Sequence, residues 1–295
     1  MAAADDKVGD VRAYLEYFRD MGVHEFYRNE TLEPVELPSV LQSVAAAEAP
    51  RPAPEPRKEP SRPVEPAVVK KMEIPAAIAA APVGLDIAKI ISFNDLAPMP
   101  SASVPADLRL AALEAISKDI GDCTRCPLAY GGRRKIVFGN GDPNARLMFV
   151  GEGPGADEDE QGIPFVGKSG QLLNNMIGAM GLRREDVYIA NIVKCRPPAN
   201  RAPEPVEANT CTQFLLRQMD IVQPEVVVAL GATAAMYLLG VKQTLASLRG
   251  SFHPVRGAKC AVTFHPAYLL RDPTKKGDAW KDLQMVMAEM GLKGK

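Results

Sequence analysis

Glu152, Asn191 and His265 lie far apart in the chain, yet each directly follows a short apolar run. A carboxylate can orient or deprotonate a water, an amide can donate and accept on one edge of a planar ligand, and an imidazole can donate a hydrogen bond at neutral pH. Phe165, in the segment GIPFVG, adds an aromatic ring. The set suits a small, planar, polar ligand. Sulfur makes a second constellation: Cys123 and Cys126 form a CxxC pair, 68 residues separate Cys126 from Cys195, and 15 more precede Cys211. CxxC alone fits a redox pair or half a zinc site. Four thiols from three segments meet only in a folded chain, where they would pin an N-terminal segment onto the body. Such a set holds either zinc or a 4Fe-4S cluster, and spacing does not choose between them. Cys260 precedes an apolar strand and reads as a buried thiol.

The elements that must position these groups follow from periodicity. Short apolar runs at Leu147 to Val150, Val187 to Ala190, Val226 to Leu230 and Ala261 to Phe264 read as strands. Helical spacing covers Ser169 to Met180, Pro205 to Ile221, Ala232 to Leu239 and Asp278 to Met290. The alternation predicts a three-layer α/β/α fold around a central, mostly parallel four-stranded sheet. Open parallel sheets bind ligands at the carboxyl ends of their strands. There the chain places GEGPGADEDE after the first strand, Asn191 after the second, Gly231-Ala232-Thr233 after the third and HPAYLLR after the fourth. In the first of these loops Glu152 is the candidate, while Asp157, Asp159 and Glu160 read as charges that solvate a loop. A dinucleotide site fits poorly, because Pro154 removes a donor and the third glycine is missing. It also gives Phe165, Asn191 and His265 nothing to do.

The chain has 295 residues, 46% hydrophobic and 24% charged. It contains no run of 18 apolar residues, and its N-terminus is acidic and amphipathic where an export signal would be basic and then apolar. A soluble, cytoplasmic protein with no membrane partner is expected. With five cysteines and no export signal, a disulfide framework is not. Residues up to 106 carry 11 Lys and Arg against 16 Asp and Glu, and the remainder 24 against 20, so the mildly basic body permits a polyanion partner. Eight prolines between Pro50 and Pro75 predict an extended linker. Three regions result: residues 1–30 with an amphipathic helix over Val8, Val11, Leu15 and Phe18, a flexible linker over 31–106, and a folded body over 107–295. The N-terminal helix docks either on the body or on a repair or replication partner.

Three stretches carry a family resemblance: CTRCPLAYGGRRKIVFGNGDPNARLMFVGEGPGADEDEQGIPFVGKSGQLL, YIANIVKCRPPANRAPEPVEANTC and FHPAYLLR. From about Asp119 onward the chain resembles the family 4, iron-sulfur type uracil-DNA glycosylases. The resemblance implies a monomeric, nucleoid-associated base-excision-repair hydrolase. It would act on uracil in single- or double-stranded DNA and leave an abasic site. Cys123, Cys126, Cys195 and Cys211 would hold a structural 4Fe-4S cluster. By the same resemblance His265 faces uracil O2 and Glu152 acts on the attacking water. Asn191 reads the N3-H and O4 edge, Phe165 stacks on the ring, Gly153 lets backbone approach the base, and Glu158 walls the pocket near C5. Leu269 and Leu270 are candidate wedges for the vacated stack, one expected exposed and the other buried, with Arg271, Lys275, Lys276 and Ser169 placed to meet phosphates. A relative that traps uracil covalently uses a histidine in a basic loop after the second strand. The corresponding stretch here, KCRPPANRAPEPVEANTC, has none, so turnover is expected. The alternative is a non-catalytic iron-sulfur DNA-binding protein of the same fold.

Overall fold

Apolar runs without polar alternation are strands covered on both faces. The computed structural model, which describes residues 90–294, places four such runs at its centre. In chain order its elements are α1 (Phe93–Leu96), α2 (Arg109–Ile120), β1 (Asn140–Gly141), β2 (Leu147–Gly151), α3 (Ala156–Gln161), α4 (Lys168–Ala179), β3 (Tyr188–Asn191) and α5 (Pro205–Val222). They continue with β4 (Val226–Leu230), α6 (Ala232–Leu239), α7 (Leu245–Leu248), β5 (Phe252–Val255), β6 (Ala258–Thr263), α8 (Pro266–Arg271) and α9 (Lys276–Met290). The helix expected over Val8 to Phe18 and the proline-rich stretch lie outside the described residues.

The sheet runs β1-β3-β2-β4-β6-β5, with its four inner strands parallel. Side chains alternate between two apolar layers. Met148, Val150, Val227 and Ala229 face α2, α5 and α6, whereas Leu147, Phe149, Ile189 and Val228 face α4 and α9. This is the expected three-layer arrangement, with six strands where four were read. The two extra strands are antiparallel edges. β1 has only two residues, too few for a pattern. β5 contains Pro254, which lacks an N-H and is tolerated in a sheet only at an edge. β5 returns into β6 through Arg256-Gly257, both with positive φ (46° and 78°), the conformation of a two-residue hairpin turn. The hairpin also draws the start of the last strand back to Ala258 from the expected Ala261.

The described chain already packs on the core before residue 107. Phe93 and Leu96 are 0% and 5% exposed in the core, and Asn94 donates to the Pro254 carbonyl and accepts from the Arg256 amide at 2.7 Å. The body therefore includes residues 90–106, because one Phe-x-x-Leu pair supplies enough apolar surface to dock a short segment. No helix among the described residues is long and apolar enough to cross a membrane.

Candidate active site

Pairing between β2 and β3 continues past their ends. The Ile192 amide donates to the Gly151 carbonyl at 2.9 Å and the Val193 amide to the Glu152 carbonyl at 3.2 Å. This brings Glu152 beside Asn191. Asn191 is 1% exposed, and its side-chain oxygen Oδ1 is buried without a hydrogen-bond partner among the described residues. Gly151 makes room for it: a Cβ there would stand 2.4 Å from Asn191 Oδ1 and 2.5 Å from Phe165 Cζ. Below, the fully buried Lys194 donates from Nζ to the Asn191 carbonyl at 3.0 Å and to Gln218 Oε1 at 2.7 Å, fixing the strand end. Burial pulls its amine down to about 7. Sequence reasoning passed over Gly151 and Lys194, although a lysine inside the apolar run NIVKC was a signal.

At the end of β6, His265 caps α8: its Nδ1 accepts from the Ala267 amide at 3.1 Å. The cap assigns the proton of the neutral ring to Nε2. Burial, helped by the Arg271 cation, pulls the imidazole down to about 4. The ring is therefore neutral at pH 7. Phe165 lies with its ring centroid 5.6 Å from that of His265, tilted by 34°. Its φ of 52° is in the left-handed region, which costs a residue with a Cβ about 1–2 kcal/mol.

The acidic run after β2 folds into α3 and does not simply solvate a loop. Asp159 is 2% exposed and accepts from the Arg134 amide at 2.9 Å and the Lys135 amide at 3.4 Å. Glu158 is also buried. Its Oε2 accepts from the Gly155 amide and its Oε1 from the Val166 and Gly167 amides, at 2.9–3.1 Å. The expected pocket-wall residue thus also ties the start of α3 to the Phe165 loop.

One cavity of about 380 Å³ is lined by Glu152, Gly153, Glu158, Phe165, Asn191 and His265, and also by Ser169 and Arg271. Of the first six, Glu158 comes from α3 and the others from three strand ends and the GIPF loop. Asn200, Arg201 and Tyr268 join them without having been singled out. The two leucines divide as one buried and one exposed: Leu269 is 1% exposed and packed inward, whereas Leu270 is 43% exposed.

On the α5 side of the sheet, Cys123 and Cys126 follow α2, Cys211 sits on α5 and Cys195 lies past β3. All four line one small cavity. As they stand, no group of three or more His, Cys, Asp or Glu among the described residues forms a metal site. The donor chemistry nevertheless fits a thiolate-bound group. The Lys194 amide donates to Cys211 Sγ at 3.2 Å and Arg133 Nη1 to Cys195 Sγ at 3.3 Å, the hydrogen bonds that stabilise sulfur carrying negative charge.

The family model of the Uracil DNA glycosylase superfamily matches residues 138–284, a span that holds every candidate around the cavity. A type-4 uracil-DNA glycosylase of Thermotoga maritima is 48% identical over 162 residues, covering 54% of this chain and 84% of that protein. The chain belongs to the type-4 uracil-DNA glycosylase family. Type-4 enzymes of Pyrobaculum aerophilum and Archaeoglobus fulgidus are 41% and 37% identical over 181 and 192 residues. Those matches cover 92% and 96% of the relatives but 59% and 62% of this chain. The type-4 unit is thus matched almost end to end, and the rest of this longer chain lies outside the match.

Proposed function

We propose that this chain is a monofunctional uracil-DNA glycosylase. It hydrolyses the N-glycosidic bond of a uracil flipped out of DNA and leaves an abasic site for base excision repair. The observation that carries this reading is the buried, unpaired Oδ1 of Asn191, a residue that lines the cavity together with Phe165. A buried acceptor left unpaired costs about 1–3 kcal/mol, so a donor on the ligand is called for. Uracil supplies it as N3-H and offers O4 to the amide nitrogen. Cytosine presents the opposite pattern and is rejected.

Departure of the base places negative charge on its O2 and positive charge on the sugar. His265, neutral with its proton on Nε2, donates to O2 and needs no proton transfer to do so. Glu152 orients and deprotonates the water, and its charge favours the cationic sugar. Phe165 stacks on the ring and Gly153 lines the wall. The carboxylate of Glu158 is spent on backbone amides, so it shapes the wall and leaves base reading to Asn191. Leu270 fills the vacated stack. Arg271 and Ser169, the latter in the first turn of α4, meet the phosphates.

Cys123, Cys126, Cys195 and Cys211 are proposed to hold a structural 4Fe-4S cluster, whose binding ties three segments of this chain together and so adds to folding free energy. The expected signs are iron and a visible absorbance in the purified chain, both lost with stability in Cys195→Ser. An iron-free, stable wild type would remove the cluster.

The function is tested with matched oligonucleotides carrying uracil, cytosine or thymine at one position, followed by alkaline cleavage at abasic sites. Release from uracil alone is expected. No release by a folded sample would leave only a DNA-binding protein.

A further inference from the structure

Phe165 holds its ring in the cavity through a backbone conformation that it would not adopt alone, and the loop is gripped from both sides. Arg184, in the turn Arg184–Asp186, donates from Nη2 to the Pro164 carbonyl at 2.5 Å and from Nη1 to the Phe165 carbonyl at 3.1 Å. Asn174 Oδ1 on α4 accepts from the same Nη1 at 2.9 Å, which fixes the guanidinium. On the other side, Glu158 takes the amides of Val166 and Gly167. Four consecutive residues are thus clamped, two carbonyls by a cation and two amides by an anion, and the left-handed Phe165 is the second of the four. Gly170 seats the clamp against α4, because a Cβ there would lie 2.0 Å from the Phe165 carbonyl oxygen.

We infer that Arg184 is a positioning residue for base recognition, acting on uracil only through the orientation it imposes on Phe165. It does not line the cavity. Its contribution rests on the stacking role proposed for Phe165. Charge-assisted, two-pronged hydrogen bonds are the strongest means available to a side chain for holding two adjacent carbonyls.

The test uses the full chain and free uracil as a competitive product inhibitor. It compares Arg184→Ala, Phe165→Ala, the double variant and Arg184→Lys. Stacking of one base corresponds to about a 5- to 150-fold change in binding, so Arg184→Ala is expected to raise the uracil Ki and lower kcat/KM within that range. The double variant should be no worse than Phe165→Ala, since one effect acts through the other. Arg184→Lys, which keeps the charge but loses the fork, should recover part of the loss, and it serves in place of the alanine variant if that one fails to fold. Multiplicative losses in the double variant, or a lowered Tm with an unchanged Ki, would make Arg184 merely structural. An unchanged Ki in Phe165→Ala would instead overturn the stacking role itself, and this inference with it.

Discussion

A histidine that caps a helix with one ring nitrogen has only the other to offer a ligand. In His265 the capping and the chemistry can therefore be separated. Asparagine is a good N-cap, so His265→Asn should keep the stability of the wild type, while His265→Ala loses about 1 kcal/mol. Both should lose orders of magnitude in single-turnover cleavage; wild-type rates in either would mean that the ring does not stabilise the departing base. The pH dependence has a definite sign. With a folded value of about 4 against an ordinary 6.5, the unfolded chain binds the extra proton first. The stability contributed by neutral His265 is thus present above pH 6.5 and lost as pH falls towards 4. Nitrogen NMR at pH 6 should find a neutral ring protonated on Nε2, with Arg271 opposing and Glu158 favouring its protonation. A ring half-protonated near 6.5 would contradict this.

At the scale of elements, α8 divides its leucines. Leu269→Ala should cost about 2–5 kcal/mol by cavity formation and reduce activity only as far as the fold suffers. Leu270→Ala should leave Tm unchanged and lower kcat/KM more on duplex than on single-stranded substrate, because only the duplex has a stack to refill. Equal losses on both substrates would remove the wedge. The sequence made the strand ends readable because four apolar runs had to be covered strands, and their carboxyl ends had to converge. It concealed α3 because five polar residues in a row look solvated, and nothing in the spacing reveals that Glu158 and Asp159 bind backbone amides. Arg184 was invisible for the same reason: a side chain that recognises carbonyls leaves no residue pattern to read. Leu269 could not be told from Leu270 until the helix had a direction.

For the whole molecule, the body starts before its composition says so. A chain beginning at residue 107 should be less stable than one beginning at residue 90, by at least about 3 kcal/mol, since it loses Phe93, Leu96 and the Asn94 link to Arg256. Urea unfolding of the two chains measures the difference, and equal midpoints would show that the segment merely rests on the core. The sheet also separates two duties, with the thiol cavity beside α5 and the ligand cavity at the strand ends. Lys194 touches both, through its amide on Cys211 and its amine on the carbonyl of Asn191.

The unpaired oxygen of Asn191 implies that the fold and the task oppose each other at this position. Asn191→Leu, with an apolar group of similar branching, should melt higher, by about 2–4 °C for each kcal/mol recovered, and excise nothing. Free uracil should raise the Tm of the wild type and leave that of the variant unmoved. A protein built for durability alone would have no use for this amide, so the position sets stability against what the cavity is proposed to do.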